Sequence, residues 1–287
     1  MTAPDESASV ASADALDGFR RSQRLAYECA ETVAATMEPG VTEKQVARQM
    51  QRWLEERGVR DWFHQPFAWF GDRTAFVGFR VPLQFFPTNR RLEEGMPFIL
   101  DCAPVVDGYT SDIGYSGCLG TNLVLDLLLA DLEEHRALVL EGVRAGKHLR
   151  TVYDDVDGLL ARQGFDNRHR RYPFGVIAHR VEAVPTRGSA PVIGRFGVNN
   201  LRNLGRDVRV GRRQGWSPLW GPYRTSDHVA TPGLWAVEPH LGFRGVGAKF
   251  EELLVVTEDD AFWLDDDVPH VRRWSDASTA QIERVAS

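Results

Sequence analysis

The sequence predicts a single α/β (α+β) domain made of two similar halves. Three observations favour this fold class. A pair of helices occurs twice at a constant spacing, strand-rich sequence with frequent Gly and Pro follows each pair, and no linker separates the halves. The 287 residues are 43% hydrophobic and 26% charged, as in ordinary globular proteins.

The first helical unit has clear start and stop signals. Apolar residues recur at helical spacing between Phe19 and Met37, and Gly40 is a typical stop. Thr42 then predicts an N-cap, with Gln45 completing a capping box, and Gly58 ends the second helix.

The second half repeats these landmarks. Helical sequence over 131–143 is followed by Gly146 and by a helix that ends at Gly164. A shift of 106 residues places Gly40 on Gly146 and Gly58 on Gly164, and it superimposes the apolar positions between them. A shared helix-pair pattern produces some such matches by chance, but duplication of one half explains them all.

The ends of the chain differ in character from its middle. Residues 1–15 are small, polar and acidic, which predicts a disordered leader and excludes a signal peptide. We expect one catalytic domain over residues 16–270 and a C-terminal tail over 271–287.

Composition also bears on compartment and partners. Three cysteines without metal-ligand spacing, Cys29, Cys102 and Cys118, are typical of a reduced cytoplasmic protein with buried thiols. No apolar run is long enough to span a membrane, and a net charge of −6 argues against nucleic acid. Fourteen arginines between Arg144 and Arg213 are a local exception, more typical of a solvated face than of a polyanion site.

The first of two carboxylate-bearing hairpins spans residues 97–117. Asp107-Gly108 is a strong signal for a two-residue turn, which would place Asp112 opposite Ala103. Because strand side chains alternate faces, Asp101 and Asp112 then become diagonal neighbours on one face, roughly 7 Å apart or less.

The second hairpin spans residues 234–257. A turn at Arg244-Gly245 would place Glu238 directly opposite Glu251, with Cβ atoms about 5 Å apart. Glu251 shares its face with the apolar Leu253 and Val255. Either acidic pair alone is typical of solvated surface charge. Two close pairs beside apolar neighbours favour bound cations and solvated surface charge about equally, and the spacing alone does not decide between them.

These segments resemble the motifs of one family. PFILDCAPVVDGYTSDIGYSG (97–117), WAVEPH (235–240), KFEELLVVTED (249–259) and, less well, AHRVE (178–182) are similar to the metal-binding segments of the pita-bread metalloenzymes. That family includes methionine aminopeptidases, prolidases, aminopeptidase P and creatinase. The resemblance covers residues 17–268 and implies a pita-bread fold, with pseudo-twofold halves and a curved antiparallel sheet.

The resemblance implies a ligand set and a cofactor. The family's five ligands fall on Asp101, Asp112, His179, Glu238 and Glu251. Four carboxylates and one imidazole suit two divalent ions such as Mn, Fe, Co or Zn. In the family, the Glu of the Glu-Pro motif also carries the proton to the leaving nitrogen, and Glu238 would take that catalytic role.

The sequence departs from the family at two substrate-contacting histidines. Residues 83–87 and 182–187 offer no His where the family's peptidases have one, which puts peptide hydrolysis in doubt. His228, in a long aromatic loop that could form a lid, could replace a missing catalytic histidine. His64, which could line the pocket opposite, is a further candidate catalytic residue.

The other histidines receive simpler interpretations. His240, after the Glu-Pro motif, is expected to support the ligands from behind. The remaining four are expected on the surface: His135, His148, His169 and His270.

Three functions remain open at this stage. The first is a metal-dependent hydrolase acting on a C–N bond of a small peptide-like or amino-acid-derived substrate, with a homodimer possible. The second is a non-peptidase metalloenzyme of the same fold, redox-active with iron. The third is a non-catalytic binding module, which the intact ligand set argues against.

Overall fold

The computed structural model describes residues 12–184 and 191–286. Within them, the first helix begins at Ala13, where the Ser12 side chain accepts a hydrogen bond from the amide of Ala15. The predicted leader is therefore too long, because its last three residues belong to a capped helix. Residues 1–11 of that leader lie outside the described part.

The described residues form six α-helices and fourteen mostly short strands. The helices are α1 (Ala13–Ala34), α2 (Glu43–Glu56), α3 (Leu123–Arg144), α4 (Leu149–Gln163), α5 (Val198–Gln214) and α6 (Pro269–Ala286). The strands are β1 (Asp61–Phe70), β2 (Pro97–Val106), β3 (Tyr109–Thr110), β4 (Ile113–Cys118), β5 (Asp166–Asn167), β6 (Ala178–Val181), β7 (Val192–Ile193), β8 (Phe196–Gly197), β9 (Leu219–Trp220), β10 (Gly233–Val237), β11 (His240–Phe243), β12 (Val246–Lys249), β13 (Glu252–Val256) and β14 (Ala261–Trp263).

The two helix pairs confirm the predicted repeat. Helices α2 and α4 begin 106 residues apart, at Glu43 and Leu149. The predicted capping box of α2 is present, with Thr42 and Gln45 each bonding the other's backbone amide. Helix α3 begins earlier than its apolar pattern predicted, because the Asn122 side chain caps it by accepting from the amide of Leu125.

The strand pairings within the described residues are all antiparallel and form three sheets. One has the order β3-β2-β1-β8-β7, with β4 also pairing β2, and the second has the order β14-β13-β10-β6-β9. A small third sheet joins β12, β11 and β5. One apolar core packs α1 and α2 on the first sheet, and a larger one packs α3 and α4 on the other two sheets.

Both hairpins fold with the predicted turns. Asp107 and Gly108 have φ of 51° and 87°, and Arg244 and Gly245 have φ of 48° and 82°. These left-handed pairs are two-residue turns that match the strand twist. Val106 pairs with Tyr109 and Phe243 pairs with Val246, so both predicted registers are confirmed.

The C-terminal segment is helical rather than an extended tail. Helix α6 starts at Pro269, and the Trp274 indole is buried and donates to the Leu129 carbonyl at 2.7 Å. The predicted domain boundary at residue 270 therefore cuts through a packed helix. Val271 and Trp274 of this helix pack on the apolar core beyond that boundary. Among the described residues, no helix is both long and apolar enough to cross a membrane.

Candidate metal centre

The two hairpins meet and bring their carboxylates into one buried cluster. Gly114 of β4 bridges to Glu251, so the first hairpin lies beside the second at its acidic positions. Each residue of the predicted ligand set is no more than 7% exposed: Asp101, Asp112, His179, Glu238 and Glu251. We refer to these five residues as the acidic cluster.

Register explains how each hairpin supplies its pair. Cys102 pairs with Ile113 and Val105 with Thr110, so the same alignment places Asp112 opposite Ala103. Val237 pairs with Glu252, and this alignment likewise places Glu238 opposite Glu251. The alternation of side chains then turns each acidic pair to a single face.

His179 reaches the cluster from an inner strand of the second sheet. It lies on β6 opposite Ala236, and its Nδ1 is 3.2 Å from the Arg180 carbonyl. Because a carbonyl only accepts, Nδ1 carries a proton and Nε2 is directed at Asp112 Oδ2, 3.2 Å away. Such an anchored imidazole is typical of metal-binding histidines.

His64 has the same arrangement on the other side of Asp112. Its Nδ1 is 3.1 Å from the Gln65 carbonyl, and its Nε2 is 3.1 Å from Asp112 Oδ1 and 3.2 Å from Asp101 Oδ1. His64 pairs with Ala103, whose methyl group leaves room for the imidazole to reach Asp112. His64 was expected to line the pocket as a candidate catalytic residue, and its ring lies within the centre itself.

Lys249 enters the acidic cluster, and the sequence interpretation assigned it no role. The side chain is 1% exposed. Its ammonium nitrogen lies 2.5 Å from Asp101 Oδ2, 2.7 Å from Glu251 Oε2 and 2.9 Å from Glu238 Oε2. Alternation could have revealed it, because Lys249 precedes Glu251 by two residues and shares its face.

The ionisation of the cluster follows from these contacts. Burial opposes charge on Asp112, but the two imidazoles hold the pKa of its carboxyl well below the ordinary value. Burial also opposes protonation of His64, yet Asp112 and Asp101 raise its pKa to about 9. Burial and neighbouring carboxylates raise the pKa of Glu251, although Lys249 opposes that shift.

The chemistry of the donor set fits a divalent metal ion. Ligand atoms of Asp112, His179 and Glu251 lie within 4.8 Å of one another, as do those of His64, Asp101 and Asp112. All are carboxylate oxygens or imidazole nitrogens, and all are buried. Such sets suit ions of the Mn, Fe, Co and Zn type.

Aromatic side chains form a wall beside the two histidines. Phe63 stacks on the His179 ring with centroids 4.8 Å apart, while Phe67 and Phe196 lie 5.2 Å and 5.9 Å from the His64 ring. Phe63 and Phe196 are half-buried. This side of the centre is therefore apolar.

His228 is not brought into this cluster. Its Nε2 accepts from the amide of Ser217 at 2.9 Å, and its Nδ1 faces the Val229 carbonyl at 2.7 Å. Both ring nitrogens thus bind backbone of their own loop, and Trp220 of that loop is fully buried in the core. The structure contradicts the expectation that His228 is a catalytic residue on a lid.

Most of the other histidines are buried, including three that were predicted to lie on the surface. His240 is buried behind Lys249, with Nδ1 3.1 Å from the Tyr172 hydroxyl, in agreement with a supporting position. Three of the four expected surface histidines are buried instead: His135, His169 and His270. Their rings lie 2.8 to 3.2 Å from side-chain oxygens of Gln163, Asp157 and Glu252, which give one nitrogen of each imidazole a partner in the interior.

The fold and the buried ligand set are those of a metalloenzyme, and comparison with known sequences identifies its family. Residues 17–258 match the metallopeptidase family M24, and the chain belongs to that family. It is therefore a metal-dependent hydrolase by class, with the pita-bread fold that the sequence motifs implied.

The relatives and solved structures that this chain resembles are also peptidases. The chain is 23% identical to methionine aminopeptidase A of Synechocystis over 256 residues, covering 85% of this chain and 92% of the relative. Its fold is similar to an Xaa-Pro dipeptidase from Bacillus anthracis, at a TM-score of 0.64, 18% identity and 91% coverage of this chain. Dipeptidase PepE from Mycobacterium ulcerans gives a TM-score of 0.62, 21% identity and 91% coverage. The chain spans only 62% and 60% of the length of those two structures.

Proposed function

We propose that this protein cleaves the C–N bond of a small, apolar, peptide-like substrate in a metal-dependent reaction. The observation that carries the proposal is the buried acidic cluster with His179 anchored beside an aromatic wall. The names of the relatives, an aminopeptidase and dipeptidases, support a substrate of short-peptide size. A cytoplasmic location and a homodimer remain predictions from sequence.

The residues of the centre have distinct tasks in this reaction. A divalent ion held by Asp112, His179 and Glu251 would polarise the scissile carbonyl and lower the pKa of a bound water. Glu238 keeps Oε2 on the Lys249 ammonium, which leaves Oε1 to carry a proton to the leaving nitrogen. His64 holds the Asp101 and Asp112 carboxylates in place through Nε2.

The aromatic wall supports the choice of an apolar substrate. Phe196 pairs with His64 across β8 and β1, and Ile193 in the same small hairpin is 68% exposed. Phe86 extends this surface, with its ring 6.1 Å from Phe67. A substrate side chain that packs against these rings is separated from water, which favours hydrophobic over charged residues.

An assay of the purified protein tests the proposal. Leu- and Phe-containing dipeptides, Met-Ala and Ala-Pro are incubated with protein loaded with Mn²⁺ or Co²⁺, and free amino acids are measured. We expect cleavage of the apolar dipeptides, with Met-Ala and Ala-Pro poor because the two family histidines are missing. A chelator and the Asp112→Asn variant should each abolish cleavage.

Two outcomes would contradict this proposal. Hydrolysis that survives chelation would separate the reaction from the metal centre. Preferential cleavage of Met-Ala or Ala-Pro would restore an ordinary peptidase specificity and show that the missing histidines are dispensable.

A further inference from the structure

The Lys249 ammonium lies where a cation is needed by three carboxylates at once. Its distances to Asp101, Glu238 and Glu251 oxygens are 2.5 to 2.9 Å. A transition-metal ion bound to the same oxygens would require distances of about 2.0–2.2 Å. The ammonium and a metal ion therefore compete for one position, because both bind the same oxygen atoms and both are positive.

The fold makes room for this side chain. A Cβ added to Gly114 would lie 2.3 Å from Lys249 Cε and 3.1 Å from Cδ, so the lysine stem fits only because residue 114 is glycine. Ser116, which lies on β4 like Gly114, holds the backbone of Lys249 in place. Its hydroxyl donates to the Lys249 carbonyl at 2.7 Å and accepts from the Lys249 amide at 3.0 Å.

An aromatic ring covers the ammonium from another side. Lys249 Nζ is 5.1 Å from the centroid of Tyr172, a distance typical of a cation–π contact. With three carboxylates, a fixed backbone and a ring around it, the ammonium has its hydrogen-bonding and charge requirements met.

We propose that Lys249 occupies one of the two cation positions of this centre, so that the chain binds one divalent ion and not two. This inference rests on the proposed metal-dependent function and concerns only the number of ions. The ion takes the group Asp112, His179 and Glu251, in which Glu251 also accepts from the ammonium through Oε2. The four carboxylates can balance two divalent ions, but not two divalent ions and an ammonium.

Metal stoichiometry tests the inference directly. Metal-free protein is dialysed against increasing Mn²⁺, and bound manganese per chain is measured by elemental analysis. Electron paramagnetic resonance of the same samples distinguishes isolated Mn²⁺ from a coupled pair. We expect one isolated ion per wild-type chain at saturation.

Two variants and one control identify the lysine as the cause. Lys249→Met keeps a side chain of similar length without the charge, and Gly114→Ala displaces the lysine stem. In each, we expect two bound ions and a coupled signal. Lys147→Met removes a surface lysine that binds Asp155, and it should retain one ion.

The outcomes separate this inference from the proposed function. Two ions in wild type overturn the inference and leave the hydrolase intact. One ion in wild type and still one in folded Lys249→Met and Gly114→Ala proteins also overturns it. If neither variant folds, as judged by circular dichroism, the wild-type count decides. No bound ion in wild type, with no hydrolysis, rejects both proposals.

Discussion

The two hairpins of the centre have the same turn geometry but obtain their positive partners differently. In the first, Asp101 and Asp112 face imidazoles from β1 and β6, strands distant in sequence, and Asp101 also contacts the Lys249 ammonium. In the second, Glu238 and Glu251 face an ammonium from the hairpin itself. All positive partners of the first acidic pair therefore come from outside its hairpin, whereas the second pair has a positive partner within its own hairpin.

This difference has a chemical consequence. An imidazole can bind a metal ion through an unprotonated nitrogen, so the contacts of the first hairpin can be exchanged for metal bonds. A lysine ammonium has no lone pair and cannot act as a ligand while it is charged. The carboxylate oxygens that face the imidazoles are thus open to metal, whereas the oxygens that face Lys249, on both hairpins, are partly closed.

Removing the shared carboxylate of the first hairpin should have the largest effect. Asp112→Ala takes away the oxygens that face both imidazoles, and we expect more than a hundredfold loss of metal affinity and no measurable activity. Elemental analysis and circular dichroism measure metal content and folding. Asp72→Ala, at an exposed aspartate, is the matched control. Unchanged metal content in the Asp112 variant would falsify the ligand assignment.

Replacing the imidazole of β1 should affect turnover more than metal binding. His64→Gln removes the group that holds Asp101 and Asp112 in position, and we expect kcat to fall by about 10²-fold while metal content stays near that of wild type. Steady-state kinetics and elemental analysis are done on the same preparation. Equal losses of metal and activity would instead make His64 a ligand.

Metal removal should destabilise the fold to a moderate degree. A ligand that binds only the native state stabilises it by about 2.7 kcal/mol at a hundred times its Kd, which corresponds to a Tm shift of roughly 5–10 °C here. Differential scanning calorimetry with and without chelator measures this shift. In Asp112→Ala the chelator should have no effect, and a shift of the same size there would place the metal elsewhere.

The smallest effect is expected at the loop histidine. His228→Ala should leave kcat within about threefold of wild type, because both ring nitrogens bind loop backbone and neither faces the acidic cluster. A slightly lower Tm is expected from the lost contact with the Ser217 amide. A drop in kcat of a hundredfold, with normal metal content, would return His228 to the reaction.

The sequence predicted the parts of the centre that depend on local structure. Asp107-Gly108 and Arg244-Gly245 are turn signals, and each turn determines the register of its carboxylate pair. His64 was harder to place, because β1 pairs with β2 through irregularities on both sides of His64. No local pattern reveals a contact that depends on those irregularities, which is why the sequence predicted a pocket-lining, candidate catalytic His64 but not its contacts with Asp101 and Asp112.

The burial of several histidines and the position of His228 were also predicted wrongly, for different physical reasons. Buried histidines such as His135 are invisible in sequence, since their distant hydrogen-bond partners decide whether burial is tolerated. His228 was selected because aromatic loops are often functional, but Trp220 packs into the core and makes this loop part of the scaffold.

The two-residue turns also limit how this chain can change in length. One extra residue between Asp101 and Asp112, if absorbed as a register slip, would turn one of these carboxylates toward the opposite face of its strand, where Cys102 packs in the core. Insertions at Arg244-Gly245 are restricted in the same way by the pairing of Val237 with Glu252. Segments intended for tagging or loop grafting therefore belong outside these hairpins, for example at the exposed residues 212–215 at the C-terminal end of helix α5.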